Sequence, residues 1–410
     1  MTKVRDLIPI LRLIFKNNLD FIWKICNNKY MERTGIFGGT FNPVHREHIR
    51  LAKMAVEELN LDKLIIMPTY QPPHKATAPL PAEHRLKMLR RAFSGEQKIE
   101  ISDYEIEKKG TSYTYLTVEH FKKQTGAHLF FIVGGDMLVN FKTWKYPERI
   151  LAVCDLAVFE REQVFTDFEK EREYFKQVFG KEFIKLNFVG KNFSSTKLRV
   201  YSAFSLPLDE LTAPAVSEYI KENNLYSGNE YIEYAKKVLP EKRLKHTANV
   251  VVSALSKAKD LGLDQQKVII ATTLHDVAKY YSGEIPKDAN IDKETPQPVV
   301  HAFLGAYIAE KKLKITDKDI INAIRYHTTG RANMSLLEKL VFVADMVEED
   351  RDYQGVKYLR DLFNKDDFEF CFRECLREEF IHLLNKKTSV HIETINAYDF
   401  YLGAVNNQKN

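Results

Sequence analysis

Apolar runs alternate with helical stretches from about residue 33 to residue 226. Short apolar runs predict buried strands at residues 35–37, 64–67, 129–133, 156–159 and 186–189. Strands that alternate with helices are typical of a parallel sheet covered by helices on both faces. The pattern therefore predicts a doubly wound, Rossmann-like α/β domain. In such a sheet ligands bind beyond the carboxyl ends of the strands, so we expect the chemistry in the loops there.

The pattern changes at a short polar break, residues 225–229. Beyond it the apolar residues recur at helical spacing, as in residues 250–255, and alternation with a period of two is almost absent. This part of the chain is predicted to be all-α. We therefore expect an N-terminal extension of unassigned role, an α/β domain and a helical domain, at residues 1–31, 32–226 and 228–405.

Composition narrows the classes of function. The 410 residues are 44% hydrophobic and 29% charged, which suits a folded chain with two domains. The net charge of +5 is small, which suits anionic metabolites and predicts no nucleic-acid binding. The four cysteines form no CxxC pair, so we expect a reducing, cytoplasmic setting. No apolar run approaches the roughly 18 residues of a membrane span, so no membrane partner is predicted.

The first predicted strand leads into a motif that suits a nucleotide. Residues 38–48 are Gly-Gly-Thr-Phe-Asn-Pro-Val-His-Arg-Glu-His. Two glycines let the backbone approach a ligand closely, and the start of the next helix offers free N–H groups to phosphate. His45 and His48 are three residues apart, so they project from one side of the first turn and can offset charge on departing pyrophosphate. A glycine pair alone is typical of a plain turn, whereas the added histidines favour a nucleotide site.

On these residues the chain resembles the nicotinate mononucleotide adenylyltransferases, a family of the HxGH nucleotidyltransferases. Further segments follow in the family's order: residues 72–75 resemble its substrate loop, 112–114 its nicotinate pocket, 134–136 its GxD loop and 194–199 its SSTxxR signature, which closes over the ATP phosphates. The resemblance implies nucleotide binding by Gly38, Gly39, Thr40, Phe41, Asn42, Gly134, Asp136, Ser194, Ser195 and Thr196. It implies substrate binding by Lys75, Thr114 and Trp144.

The reaction implied by this resemblance joins nicotinate mononucleotide to ATP and gives deamido-NAD and pyrophosphate. The mononucleotide phosphate attacks the α-phosphorus of ATP directly, so no covalent protein nucleophile is needed. His45, His48 and Arg199 would stabilise charge, and Mg²⁺ would accompany ATP. Phosphopantetheine is a rival adenylyl acceptor, but residues 72–75 and 112–114 fit the nicotinate branch better.

One residue departs from the family pattern. Glu47 stands where the family has glycine between its two histidines. A carboxylate beside a triphosphate weakens binding unless a cation lies between them. We expect Glu47 to point to solvent. The alternative is a weakened or inactive N-terminal half that senses nucleotide and regulates the C-terminal half.

The helical half carries a second constellation of ionisable side chains, namely His246, His275, Asp276, His301, His327 and Asp345. His275 and Asp276 fall within residues 271–279, a run predicted to be helical, and Asp345 ends an apolar stretch. A carboxylate in such places is costly unless it is paired or bound to a metal. Nitrogen and oxygen ligands without thiolate suit iron, manganese or another divalent first-row metal better than structural zinc.

This set resembles that of the HD hydrolase superfamily, whose H…HD…D pattern is matched by His246, His275, Asp276 and Asp345. The chain also resembles the branch of this superfamily that hydrolyses diadenosine tetraphosphate symmetrically to two ADP. This resemblance rests on His301, His327 and residues 278–279 and 327–330. The resemblance implies two divalent ions, iron by preference, with Asp276 between them activating a water, and Lys279 on substrate phosphate. A guanosine alarmone, a cyclic dinucleotide or a mononucleotide is an alternative substrate, and homo-oligomerisation stays open.

Overall fold

The computed structural model describes residues 31–71, 80–162, 166–191, 193–289, 291–365, 367–387 and 389–403. Two compact units are present: the first holds the described residues within Met1–Asn42 and Glu47–Asn192, and the second those within Pro43–Arg46 and Phe193–Asn410. The predicted boundary near residue 227 stays a prediction. The predicted substrate residue Lys75 and residues 1–30 of the predicted extension lie outside the described residues.

The described part of the first unit contains one sheet of six parallel strands. They are β1 Arg33–Gly39, β2 Lys63–Pro68, β3 Ile99–Ile101, β4 His128–Gly134, β5 Cys154–Arg161 and β6 Ile184–Gly190. The order across the sheet is β3-β2-β1-β4-β5-β6, and β1 pairs in parallel with both β2 and β4. The predicted doubly wound α/β fold is confirmed. Sequence reasoning missed β3, whose three residues Ile-Glu-Ile are too few to show a period.

Helices connect these strands. They are α1 Arg46–Glu58, α2 Ala82–Ala92, α3 Tyr104–Lys108, α4 Thr114–Thr125, α5 Gly135–Val139, α6 Pro147–Val153 and α7 Phe168–Phe179, with a 3-10 turn at Phe141–Thr143. Every residue of β4 after His128 is buried. Both faces of a strand must be covered to bury consecutive residues, which is why the sequence shows β4 as a continuous apolar run.

The strand order reverses between β1 and β4, because β2 and β3 lie on one side of β1 and β4 to β6 on the other. Doubly wound sheets bind ligands at such a switch point, outside the carboxyl ends of the strands. Residues 38–42 span the end of β1 and the loop after it, and residues 134–136 span the end of β4 and the start of α5. The two predicted nucleotide loops therefore lie at the same edge of the sheet.

Arg85 holds this edge of the sheet together. The residue lies on α2 and is 1% exposed. Its guanidinium donates hydrogen bonds to the carbonyl oxygens of Leu80 at 2.9 Å, Thr40 at 2.9 Å and Thr69 at 2.8 Å. Thr40 follows β1 and Thr69 follows β2. One planar group with fixed donors thus joins the ends of two neighbouring strands.

The described residues of the second unit form helices and no strand. These are α8 Ser195–Ala203, α9 Pro214–Glu222, α10 Glu230–Val238, α11 Glu241–Ala258, α12 Gln265–Leu274, α13 Gln297–Tyr307, α14 Lys318–Arg325, α15 Leu336–Val347, α16 Val356–Phe363, α17 Phe368–Lys386 and α18 Ile392–Tyr401, with a 3-10 turn at Lys287–Ala289 and a π-turn at Ile308–Lys312. The predicted all-α character of the C-terminal part is confirmed. Within the described ranges, no helix is both long and apolar enough to cross a membrane.

The prediction of a continuous helix over residues 271–279 was wrong. Helix α12 ends at Leu274, and tight turns follow through residue 280. The imidazole of His275 donates from Nδ1 to the carbonyl oxygen of Thr272 at 2.6 Å. That oxygen would accept the amide of Asp276 if the helix continued, so the side chain competes with the helical hydrogen bond.

We predict that Arg85→Met lowers the free energy of unfolding of the first unit by about 3 kcal/mol, because three partly buried carbonyl groups lose their donor. Urea denaturation followed by tryptophan fluorescence measures this, since Trp144 lies in the unit. Arg90→Met is the matched control: Arg90 lies on the same helix with a largely exposed side chain, 3.5 Å from Asp103. Equal stability of the two variants would contradict the role of Arg85.

Candidate functional site

In the first unit, the segment after β1 turns tightly into α1. Phe41 has a φ of +46°, and its ring meets those of Phe37 and His48 edge-on, with centroids 5.4 and 5.0 Å apart. A Cβ atom on Gly39 would lie 2.9 Å from the Phe41 ring, so only glycine leaves room for this turn. The ring packing fixes the imidazole of His48 in the first turn of α1.

The segment after β4 carries an unpaired carboxylate oxygen. A Cβ atom on Gly134 would lie within 2.4 Å of Asp136 Oδ1, so the glycine makes room for this side chain. That oxygen is buried and accepts no hydrogen bond from the described residues, whereas Oδ2 lies 3.9 Å from the Arg161 guanidinium. A buried acceptor without a donor is costly. Asp136 can therefore accept a hydrogen bond from a bound hydroxyl or amino group.

The two described residues that are predicted to bind the substrate in the first unit, Thr114 and Trp144, are both half-buried. Thr114 begins α4, and Trp144 follows the 3-10 turn. The indole of Trp144 packs against Phe141 and Phe131, with ring centroids 5.2 and 6.1 Å away. The ring therefore contacts the core of the unit, and the role of both residues in binding nicotinate mononucleotide stays a prediction.

In the second unit, the segment around His45 is hydrogen-bonded to the SSTxxR signature and to a residue that follows it. Ser195 Oγ donates to the carbonyl oxygen of Pro43 at 2.8 Å, and Thr212 Oγ1 donates to that of Val44 at 2.9 Å. These bonds bring the first histidine of the motif to the start of α8. His45 itself is buried.

The signature itself begins α8. Ser194 caps the helix by accepting a hydrogen bond from the amide of Lys197 at 3.1 Å. One turn further, Arg199 donates to Thr196 Oγ1 at 3.0 Å, and burial lowers the pKa of its guanidinium. A half-buried guanidinium next to a helix start suits the binding of a phosphate.

The expectation that Glu47 points to solvent was wrong. Glu47 is 7% exposed, and its Oε2 accepts a hydrogen bond from the amide of Lys191 at 2.9 Å. Arg50, one turn along α1, lies 2.9 Å from the same oxygen. The amide at the end of β6 and the guanidinium draw the carboxylate inward. Its negative charge is therefore compensated within the first unit.

The six predicted metal-binding side chains converge in the second unit. Helix α11 carries His246, α13 carries His301 and α15 carries Asp345, while His275 and Asp276 follow α12 and His327 follows α14. Two groups have their ligand atoms within 4.8 Å of one another, namely His246 with His275 and Asp345, and His275 with Asp276 and His327. Their role as ligands stays a prediction.

Asp276 lies at the centre of the cluster. Its Oδ2 is 3.6 Å from Nε2 of His275 and 3.8 Å from Nε2 of His246. Its Oδ1 is 3.0 Å from Nε2 of His301 and 3.7 Å from Nε2 of His327. The two oxygens therefore face two different pairs of histidines, which is the arrangement expected of a carboxylate between two metal ions.

Acceptors at Nδ1 orient three of the histidines. The three contacts are His246 to Glu348 Oε1 at 3.0 Å, His275 to the carbonyl of Thr272 at 2.6 Å, and His327 to the carbonyl of Ile324 at 2.8 Å. Carbonyl and ionised carboxylate oxygens only accept, so each Nδ1 carries the proton. Nε2 of His275 is buried and has no hydrogen-bond partner among the described residues, and Nε2 of His246 lies 3.0 Å from Asp345 Oδ1. Such nitrogens, together with the two carboxylates, fit divalent metal ions.

The ionisation of the cluster follows from its burial. Burial lowers the pKa of His275 to about 3, so this ring is neutral at physiological pH. Burial also opposes the charge of His246, but the Asp345 and Glu348 carboxylates raise its pKa to about 9. Burial opposes ionisation of Asp276 as well, yet hydrogen bonds with His301 and His327 hold the pKa of this carboxyl well below its usual range. A metal ion at His246 would therefore bind in exchange for a proton.

Sequence reasoning missed the charged partners of these side chains. Arg243 Nη1 lies 2.8 Å from Asp276 Oδ2, and Arg351 Nη2 lies 2.5 Å from Asp345 Oδ1. The signal was present for Arg243, which precedes His246 by one helical turn. Lys279, predicted to contact substrate phosphate, lies 3.3 Å from His301 Nε2. Three cationic side chains therefore border the cluster and can attract a polyphosphate.

A cavity of about 700 Å³ adjoins the cluster in the second unit. His327, Asp345 and Arg351 line it on the side of the cluster, and Tyr353, Gln354, Glu379, Ile381 and Asn385 are among its other lining residues. Its walls thus combine an aromatic ring, amides and a guanidinium. Such a cavity has room for a nucleotide-sized ligand.

Known protein families match both halves of the chain. The family model Cytidylyltransferase-like matches residues 36–200, and the HD domain model matches residues 243–350. The probable nicotinate-nucleotide adenylyltransferase of Clostridium botulinum (strain Eklund 17B) is 39% identical over 198 residues, which are 48% of this chain and 98% of that protein. A Mycoplasma genitalium protein named probable nicotinate-nucleotide adenylyltransferase/Ap4A hydrolase is 29% identical over 328 residues, 77% of this chain and 87% of that protein.

A solved structure from Clostridium acetobutylicum, named a predicted HD superfamily hydrolase involved in NAD metabolism, is 31% identical to this chain. The match covers 43% of this chain and 96% of that one, with a TM-score of 0.39. The relatives from both Clostridium botulinum and Mycoplasma genitalium carry the nicotinate-nucleotide adenylyltransferase name. Because this chain covers nearly all of a relative that is 39% identical to it, it belongs to the nicotinate-nucleotide adenylyltransferase family and carries an HD domain after the part that matches.

Proposed function

We propose that the chain is a bifunctional nucleotide enzyme. Its N-terminal part transfers an adenylyl group from ATP to nicotinate mononucleotide, giving deamido-NAD and pyrophosphate. Its HD domain hydrolyses diadenosine tetraphosphate to two ADP. Family membership supports the first activity, and the Mycoplasma relative, named for both activities, supports the pair. The observation that carries the second activity is Asp276, whose two oxygens face two pairs of histidines.

For adenylyl transfer, the mononucleotide phosphate forms a bond to the α-phosphorus of ATP while the bond to pyrophosphate breaks. Negative charge then grows on the departing pyrophosphate. His45, His48 and Arg199 are the side chains that would offset this charge, and Asp136 would accept a hydrogen bond from the nucleotide. Mg²⁺ bound with ATP would neutralise part of the phosphate charge. Most of the rate comes from positioning, since no protein nucleophile takes part.

For hydrolysis, a water oxygen bonds to one of the two middle phosphorus atoms, and the oxygen between them leaves with the second ADP. Divalent ions, iron by preference, held by the six convergent side chains would supply Lewis acidity at the phosphoryl group. Arg243, Lys279 and Arg351 would hold the phosphate chain against the cluster. The adjoining cavity has space for one nucleoside end of the substrate.

The alternative of an inactive N-terminal sensor is not favoured, because the structure removes its physical basis. That alternative depended on an uncompensated carboxylate at residue 47. Glu47 is instead paired with Arg50 and accepts the Lys191 amide. We propose that this pairing lets glutamate replace the family's glycine without loss of transfer.

We predict that His48→Ala lowers kcat for deamido-NAD formation about 100-fold, because charge on the departing pyrophosphate loses one of its donors. Pyrophosphate release from ATP and nicotinate mononucleotide measures this. His128→Ala is the matched control, since His128 begins β4 at the opposite end of the strand and pairs with Asp155 at 2.7 Å. A His48→Ala variant with unchanged kcat would rule out this role.

We predict that Glu47→Gly reduces adenylyl transfer, although it restores the family's residue. The change removes the acceptor of the Lys191 amide and leaves Arg50 without its carboxylate. Glu47→Gln keeps an acceptor oxygen and should stay closer to the unchanged chain. Steady-state kinetics with ATP and nicotinate mononucleotide compare the three proteins. Higher turnover in the glycine variant would favour the sensor instead.

We predict that the purified chain contains divalent first-row metal, and that His275→Ala loses most of it because His275 belongs to both groups of ligand atoms. Elemental analysis of the purified proteins measures the content. His391→Ala is the matched control, since His391 caps α18 and accepts the amide of Glu393. Equal metal content in the two variants would contradict the assignment.

Removal of the metal by a chelator should abolish hydrolysis of diadenosine tetraphosphate and leave Mg²⁺-supported adenylyl transfer intact. Two ADP are the expected products, whereas ATP with AMP would indicate attack at an outer phosphorus. A panel with a guanosine alarmone, a cyclic dinucleotide and a mononucleotide decides the substrate. Faster hydrolysis of any of these would overturn the choice of diadenosine tetraphosphate while keeping the metal centre.

A further inference from the structure

A chain of hydrogen bonds runs from α8 to the cluster, entirely within the second unit. Tyr201 Oη donates to Asn249 Oδ1 at 2.7 Å, and Asn249 Nδ2 donates to Glu348 Oε2 at 3.0 Å. Glu348 Oε1 accepts from His246 Nδ1 at 3.0 Å. Three side chains from three different segments thus lead to one predicted metal-binding imidazole.

The acceptor role of Glu348 fixes the orientation of the Asn249 amide. Glu348 is an acceptor on both oxygens, from His246 and Asn249, and its Oε2 also accepts the amide of Asp350 at 2.8 Å. The amide of Asn249 must therefore turn its NH₂ group to Glu348 and its oxygen to Tyr201. Only a donor can satisfy that oxygen. The hydroxyl of Tyr201 is this donor. Burial and, to a smaller extent, the carboxylate of Glu349 raise the pKa of Tyr201, so the hydroxyl stays protonated.

Burial makes the chain sensitive to the loss of one member. Asn249 is 1% exposed and Glu348 is 2% exposed. Without the hydroxyl of Tyr201, the Asn249 oxygen would be a buried acceptor without a donor, and the amide would lose the bond that fixes its orientation. An amide turned by 180° would place its oxygen against the Glu348 carboxylate. The carboxylate that orients His246 would then shift.

Lys197 anchors the helix that supplies Tyr201. Its Nζ lies 2.6 Å from both carboxylate oxygens of Glu349, the residue after Glu348. Tyr201 Oη also lies 3.2 Å from Glu349 Oε1. Helix α8, which carries the SSTxxR signature, thus contacts Glu349 directly and reaches Glu348 through Asn249.

We propose that Tyr201, on the signature helix, is a positioning residue of the HD metal centre, acting through Asn249 and Glu348 on His246. Outer-shell partners of a metal-binding histidine fix the tautomer and the direction of its free nitrogen. The residues that the sequence assigns to the adenylyltransferase therefore supply part of the support for the hydrolase. This inference rests on the proposed metal centre.

Titration of the full, metal-free chain with Co²⁺, followed by its visible absorption bands, tests the proposal. Tyr201→Phe should weaken Co²⁺ binding about tenfold, the lower end for outer-shell partners, since the hydroxyl acts through Asn249. Tyr401→Phe is the matched control. Its hydroxyl is also in a buried hydrogen bond, from the amide of Met334 at 2.6 Å, but has no part in this chain.

A double-mutant cycle separates positioning from a general loss of stability. Adding Tyr201→Phe to an Asn249→Ala chain should cause no further change in Co²⁺ affinity, because the link is already broken. Co²⁺ binding by Tyr201→Phe as tight as by the unchanged chain would overturn the inference and leave the proposed hydrolase intact. Equal weakening by Tyr401→Phe would also overturn it. Absence of Co²⁺ binding in the unchanged chain would remove the metal centre itself, and this inference with it.

Discussion

A carboxylate buried among four imidazole rings is the constraint on which the helical unit depends. Asp276 is 3% exposed, and the histidines around it come from four separate segments of the chain. Desolvating a charge is costly unless opposite charge or a metal ion compensates it. Three features surround this carboxylate: α12 ends at Leu274, the His275 side chain turns inward, and Arg243 forms an ion pair with it. The cluster is therefore built around the compensation of this one buried charge.

The first unit also contains buried charged groups with compensating partners, at the edge of the sheet that is predicted to bind nucleotide. Arg85 is buried with three carbonyl acceptors, and Glu47 is buried with Arg50 and the Lys191 amide. In each case a charged side chain joins segments that lie apart in the sequence. Burying a compensated charge favours one arrangement of the backbone, because any shift leaves a partner unsatisfied. Both halves thus hold their sites by such groups.

Sequence patterns predicted the fold and the candidate site residues where the signal is local. The buried strands appear as continuous apolar runs, and the six side chains of the cluster are conspicuous because histidine and aspartate are rare in apolar helices. Contacts across long separations could not be predicted. The Glu47 carboxylate meets an amide 144 residues away, and Asn249 meets Glu348 across 99 residues. The end of α12 was missed because a side chain competes for a helical carbonyl, which no periodicity reveals.

Anomalous diffraction from crystals of the full chain, recorded at the absorption edge of the metal that the protein contains, tests the central claim most directly. The account predicts two peaks, one beside His246 and Asp345 and one beside His301 and His327, with Asp276 reaching toward both. A single peak would remove the carboxylate between two ions. No peak at the cluster, in crystals whose protein is folded with all six side chains in place, would contradict the metal centre altogether.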